Sequence, residues 1–153
     1  MSIRPAAQAA QFLLGLPRST PLDRMLELAD ASLLDAVAVA GPQAADAMVD
    51  LWRRGFERVE AARRATCSSA DERCDLLLIM GCPDSLSADS LTGAVLGMLA
   101  PGGRLVIDAG LMLGADERSD LCARLRARGL FLTDQSSLCA EVMAERPAVA
   151  RAA

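Results

Sequence analysis

The sequence predicts an α/β fold built on a doubly wound, mostly parallel sheet, and three stretches predict it. Residues 75–81 read Asp-Leu-Leu-Leu-Ile-Met-Gly, an apolar run without alternation, as expected of a strand covered on both faces. Residues 104–108 read Arg-Leu-Val-Ile-Asp, a second such run. Between the two lie Leu91, Val95, Leu96 and Leu99 at helical spacing, followed by a Pro101-Gly102-Gly103 turn. Strand, covering helix, turn and strand make one parallel β-α-β unit, because a parallel partner is reached only by a crossover. Upstream, residues 34–40 (LDAVAVA), the turn Gly41-Pro42-Gln43 and a helical pattern over 44–55 repeat the opening of that grammar.

Each element has its own local signal. Residues 5–16 bring Ala7, Ala10, Phe12, Leu13 and Leu14 to one side of a helix that Pro17 stops. Thr20-Pro21-Leu22-Asp23 is a second helix start: Thr20 caps, Pro21 fits the first helical position, and Asp23 reaches back. That helix carries Leu22, Met25, Leu26 and Leu28 to about Asp30. The two helices form an N-terminal appendage over residues 1–32, ahead of a single domain over 33–153. In the helix at 44–55 the buried side is expected to hold Ala44, Met48, Leu51 and Trp52, with Gly55 as the closing residue. Residues 58–62 are a second strand.

Only residues 63–74 then separate that strand from the run at 75–81. They hold at most one short strand, at 65–68, so the sheet is expected to be cut back on this side. In the central unit Ser85 or Ser87 caps the helix, which ends at Leu99 or Ala100. A further helix runs from Asp116 or Ser119 to Arg128 and closes at Gly129. Residues 130–134 and 139–146 read as a terminal antiparallel hairpin around Gln135-Ser136-Ser137. The Ala-rich tail from Pro147 is expected to fray.

Composition narrows the chemistry. The 153 residues are one domain's worth, and 52 % hydrophobic residues suffice for a sizeable core. A net charge of −4 argues against nucleic acid as a partner, since phosphate binding needs a basic face. The chain has no His, Tyr, Lys or Asn, so all 16 basic residues are Arg. Without His there is no Ser-His or Cys-His pair and no His-ligated metal; without Lys there is no Schiff base and no Walker lysine. The five cysteines, Cys67, Cys74, Cys82, Cys122 and Cys139, include no C-x-x-C pair, so no metal is expected and the thiols read as reduced core residues. No secretory signal and no membrane-length apolar run is present, so a cytoplasmic location with no membrane partner is expected.

The wording of residues 98–108, MLAPGGRLVID, resembles the segment before the fifth strand of class I S-adenosylmethionine-dependent methyltransferases. The order of elements from about Leu33 to Arg146 is similar to a small member of that family. The resemblance implies a Rossmann-like sheet of methyltransferase type, truncated near the third strand, with the N-terminal helical pair added. It implies S-adenosylmethionine as the cofactor.

The family's binding motifs carry over only in part. Its members place an acidic residue and then Gly-x-Gly-x-Gly after the first strand, where the glycines let backbone approach the cofactor. Here Gly41 matches the first glycine, the acidic position falls on Ala38, and the other glycines fall on Gln43 and Ala45. The family's acidic residue at the end of the second strand falls on Ala62 or Arg63, with Glu60 two or three residues early. The resemblance thus nominates Gly41, Pro42, Gln43, Glu60 and Gly81 for the cofactor. Gly81-Cys82-Pro83-Asp84 follows the fourth strand of the family, where amino-methylating members keep an Asn/Asp-Pro-Pro-aromatic motif. Only Pro83 matches, with Asp84 displaced, and Asp84 is the candidate catalytic residue.

Each candidate has a structural alternative. Gly41 to Gln43 can be a plain strand-to-helix turn. Asp84 can cap the next helix, Asp108 can be a solvated strand end, Arg63 can belong to an exposed Arg pair, and Trp52 can serve in core or interface packing.

The leading expectation is a methyltransferase-like domain that has lost catalysis and serves as a ligand-binding or protein-assembly module, working as a homodimer through the cut-back edge or the N-terminal helices. The alternatives are an active S-adenosylmethionine-dependent methyltransferase, resting on orientation more than on acid-base groups, and a nucleotide-binding oxidoreductase.

Overall fold

The computed structural model describes residues 19–64, 73–112, 114–133 and 140–148. The expected helix at 5–16, the short strand at 65–68, the Gln135-Ser136-Ser137 loop and most of the tail lie outside the described residues.

Thr20 and Asp23 open the first described helix, α1 (Pro21–Leu28), by the reciprocal cap read from the sequence. The Thr20 N–H donates to Asp23 Oδ2 at 2.7 Å, and the Asp23 N–H donates to Thr20 Oγ1 at 3.2 Å. The elements that follow are β1 (Val37–Ala40), α2 (Ala44–Arg53), β2 (Val59–Ala61), β3 (Cys74–Ile79), α3 (Ser85–Val95), β4 (Leu99–Asp108), α4 (Ala115–Ala127), β5 (Phe131–Leu132) and β6 (Glu141–Glu145). The strands form one sheet in the order β2-β1-β3-β4-β6-β5. β2, β1, β3 and β4 run parallel, and β6 and β5 return antiparallel. This is the doubly wound sheet with a terminal antiparallel hairpin.

The apolar runs form its centre. Leu76, Leu77, Leu78 and Ile79 of β3 are fully buried, and alternate residues face opposite sides of the sheet. On one side Leu77, Ile79, Leu105 and Ile107 pack with Ala88 and Val95 of α3 and Leu121 and Leu125 of α4. On the other, Val37, Val39, Leu76, Leu78 and Val106 pack with Leu22 and Met25 of α1 and Ala47 and Leu51 of α2. Each of the Val, Leu, Ile and Met side chains among these, moved from water to the core, stabilises the fold by about 1.5–3 kcal/mol.

Four local expectations are corrected. Pro101-Gly102-Gly103 does not turn the chain. It lies within β4, where the Gly102 N–H donates to the Arg146 carbonyl (2.8 Å) and the Gly103 carbonyl accepts from the Arg146 N–H (2.9 Å). The extra residues are absorbed as an irregularity, because Cys74 pairs with Leu99 while Leu76 pairs with Arg104. The helix therefore ends earlier, at Val95, with a single 3-10 turn over Leu96–Met98. Its cap is Asp84, whose Oδ1 accepts the Ser87 N–H at 2.7 Å, and neither Ser85 nor Ser87. Finally, Trp52 is not in the core. The buried stripe of α2 runs through Ala47 and Leu51, four residues apart, with Ala44 and Met48 on its flanks, and Trp52 is 51 % exposed.

α1 lies across β4 and β6 and is held at both ends. At its last turn the Arg104 guanidinium donates to the Ala29 carbonyl and, at 2.8 Å, to Asp35 Oδ2. A cation there suits the negative end of the helix. At its first turn Arg24 Nε donates to Glu141 Oε1 at 2.6 Å.

Candidate functional site

The carboxyl ends of β1, β3 and β4 lie side by side, and this edge is where doubly wound sheets hold ligands. Gly41, immediately after β1, has φ +106°, and a Cβ there would run into the Met80 carbonyl oxygen. Only glycine fits. That carbonyl also lies 3.5 Å from the Gln43 N–H, which donates to it. Gly81, with φ +85°, is packed from the other side: a Cβ built on it would lie 2.9 Å from Gln43 Cγ. The structure thus brings Gly41, Gln43 and Gly81 together, with Gln43 laid over Gly81 between the two loops. Pro42 is exposed in the same turn and has no N–H to offer a ligand.

Asp84 belongs to the same edge but is engaged as the cap of α3. The Ser87 N–H holds its carboxyl below the usual carboxylate range. Beside it, the Ser85 N–H donates to Glu117 Oε2 (2.8 Å) and its hydroxyl to Asp120 Oδ2 (2.6 Å), which ties α3 to α4. Cys82 is buried. Burial pushes its thiol up, and the negative charges of Asp84 and Asp108 push it further, so it is a poor nucleophile at neutral pH.

Asp108 is no solvated strand end: it is 6 % exposed, and its Oδ1 accepts the Gly110 N–H at 2.9 Å. Across the sheet it is in register with Glu141, only 3 % exposed and held by Arg24. The Arg118 guanidinium donates to the Glu141 backbone carbonyl at 3.0 Å. Sequence reasoning singled out neither Glu141 nor Arg24. The one available signal was Glu141 opening a strand whose next three residues, Val142, Met143 and Ala144, are apolar.

Glu60 stands apart from this group. It pairs in register with Ala38, two residues before the end of β1, and Arg63 lies 3.6 Å from its carboxylate. Ala61, Ala62 and Arg63 follow it, so no acidic side chain closes β2. Among the described residues no cluster of His, Cys, Asp or Glu is arranged to hold a metal ion, and no helix is long and apolar enough to cross a membrane.

No family model and no curated protein matches the chain. Solved structures do. An amino pentose methyltransferase of Micromonospora echinaspora, bound to S-adenosylmethionine and involved in calicheamicin biosynthesis, superposes with a TM-score of 0.53 at 14 % identity, covering 95 % of this chain and 98 % of that one. The fold is that of the class I methyltransferases. A SAM-dependent O-methyltransferase of Thermotoga maritima shares the methyltransferase-like fold at a TM-score of 0.51 and 13 % identity, over 92 % of this chain and 71 % of that one. A Lactococcus lactis protein described as a candidate hemolysin shares it at 0.52 and 12 %, over 86 % and 89 %. Identities this low establish the methyltransferase-like architecture alone, and one architecture hosts many activities.

Proposed function

We propose that this methyltransferase-like domain has given up methyl transfer and works as a ligand-binding or protein-assembly module. One observation carries the reading: Gln43 packs over Gly81, between the two loops that would have to open onto a cofactor. A second fact agrees with it. The end of β2 offers Ala61, Ala62 and Arg63 in place of a carboxylate for ribose hydroxyls. On this reading the residues at this edge do not form a cradle for S-adenosylmethionine.

A specific feature favours the active alternative. Gly41 and Gly81 both keep positive φ at the strand ends, where backbone can approach a ligand closely. In that reading Asp84 orients the substrate, and rotation of Gln43 off Gly81 opens the site. For the dinucleotide alternative no such feature exists, since Gly41-Pro42-Gln43-Ala44-Ala45 lacks the further glycines.

Calorimetric titration with S-adenosylmethionine and S-adenosylhomocysteine separates the readings. The module reading expects no binding heat at millimolar ligand. It also expects heat to stay absent in Gln43→Gly, because the ribose contact is missing too. Micromolar binding by the unmodified chain would overturn it and select the enzyme.

A further inference from the structure

A groove of about 340 Å³ opens between the last turns of α1 and α2. Leu26, Leu33 and Phe56 supply its apolar lining, and Glu27, Asp30 and Arg54 its charges. Leu33 is 52 % exposed and its neighbour Leu34 84 %, an apolar pair that the described residues leave in water. Leu33 leads into β1 and Phe56 into β2, so the groove lies at the amino edge of the sheet, opposite the candidate site. Its charges are unevenly met. Arg54 is taken by Asp23 and the nearby Arg104 by Asp35, whereas the carboxylates of Glu27 and Asp30 have no partner among the described residues. Both stand at the negative end of α1, where a cation is favoured.

The chain carries the complement of this groove. Residues 1–18 hold Arg4 and Arg18 and no acidic residue, and the sequence predicts a helix over 5–16 with Ala7, Ala10, Phe12, Leu13 and Leu14 on its apolar side. Only residues 17–20 separate that helix from α1. A connection this short joins antiparallel neighbours. α1 itself runs from Glu141, which is in register with the last residue of β4, toward Arg104 and the amino edge. Traced back from Pro17, the preceding helix therefore descends along α1 toward the groove. At a rise of ~1.5 Å per residue in both helices, Phe12 comes level with Met25 and Leu26, Ala10 with Glu27, and Ala7 with Asp30. The alanines permit close approach, and Arg4, about one turn further on, lies within reach of both unpaired carboxylates.

We propose that residues 5–16 occupy this groove as a helix antiparallel to α1, with Phe12 against Leu26 and Arg4 neutralising Glu27 and Asp30. The segment is then a strut at the amino edge and not a cover over the carboxyl edge, whether or not a cofactor is bound. The occupant is this chain's own segment because a four-residue connection makes the docking intramolecular, at an effective concentration that a separate partner does not match.

Photo-cross-linking of the full chain tests this, with Phe12→benzoylphenylalanine as the probe and mass spectrometry of the digested product as the readout. The link is expected within one chain, to residues 25–34 or 54–56. Links to residues 41–43 or 81–84 would overturn the proposal, because they place the segment over the carboxyl edge. A product of twice the 16.1 kDa chain mass would overturn it in favour of a second copy, and so would the absence of any link to the described residues. Hydrogen exchange of the unmodified chain and of Leu13→Glu gives an independent measure. Amides of residues 26–34 and 54–56 are expected to lose protection in the variant while those of β3 and β4 keep theirs, which shows that the fold is intact. Equal protection of 26–34 in the two proteins would refute the docking.

Discussion

Gly41 and Gly102 both have positive φ, at +106° and +78°, yet a methyl group would meet different surroundings at the two sites. At Gly102 nothing lies within 4 Å of an added Cβ, so Gly102→Ala carries only the conformational penalty, about 1 kcal/mol. At Gly41 the same methyl is driven into the Met80 carbonyl, and the β1 and β3 loops must part. Gly41→Ala is expected to cost on the order of 3 kcal/mol, the penalty of a strained backbone plus the displaced contact. Urea midpoints of the two variants measure the difference; equal losses would mean that the two loops are not in contact. The corollary is that a Gly41 variant reports on folding as much as on ligand binding. Gln43, whose side chain is exposed, is the cleaner position at which to open the site.

At the scale of the element, α1 is the piece whose position sequence could not supply. Its start was legible because Thr20, Pro21 and Asp23 act within one turn of each other. Its destination was not, because Arg24 meets Glu141 across 117 residues of chain. The pair is the polar anchor of the helix on the sheet. Its carboxylate side is almost wholly buried, and Asp108 stands beside it in the register. Removing only the cation leaves Glu141 under-compensated in the interior, so Arg24→Met is expected to cost on the order of 3 kcal/mol. Replacing both, as Arg24→Met with Glu141→Leu, is expected to recover most of that loss, since an apolar pair fits the same space without a desolvation penalty. Chemical unfolding of the two single variants and the double closes the cycle, and strict additivity would rule the coupling out.

At the scale of the whole molecule, four carboxyls among the described residues are held below their ordinary range. At Asp89 the cause is the Arg128 guanidinium, at Asp120 the Ser85 hydroxyl and then Arg124, and at Asp84 the Ser87 N–H. At Asp23 burial pushes upward, but the Thr20 cap and Arg54 outweigh it. A carboxyl with a depressed value in the folded state contributes its full stability above its unfolded value, about 4, and loses it as the pH falls through the folded value. Thermal midpoints are therefore expected to be level near neutrality and to drop below about pH 4, with a shallower drop in Asp89→Asn. A midpoint that stayed level to pH 3 would contradict these shifts.

The sheet itself was legible at this scale because its evidence is local: four consecutive apolar residues in β3 and the matching run in β4 need no partner to be recognised. Misreadings came where one signal serves two structures. Pro101-Gly102-Gly103 has the chemistry of a turn and equally of a strand irregularity, and only the pairing of Cys74 with Leu99 distinguishes them. Trp52 was assigned inward by its apolarity, although helical phase from Ala47 and Leu51 turns it out. The contact of Gln43 with Gly81 needs two loops nearly forty residues apart to meet, which no motif encodes.

The clamp on α1 also orders events in time. A chain is made from its amino end, and Arg24 leaves the ribosome 117 residues before the glutamate that secures it. Until β6 is added beside β4, one side of α1 has no strand beneath it, and the apolar surface of Leu22 and Met25 has only part of its final cover. The first helix described is thus among the last to be locked. Contacts spanning this much sequence slow folding, because the loop must close before any of them is formed. A chain stopped short of Glu141 would expose the helix and the sheet face together, and quality control would meet an unfinished amino terminus caused by a missing carboxyl one.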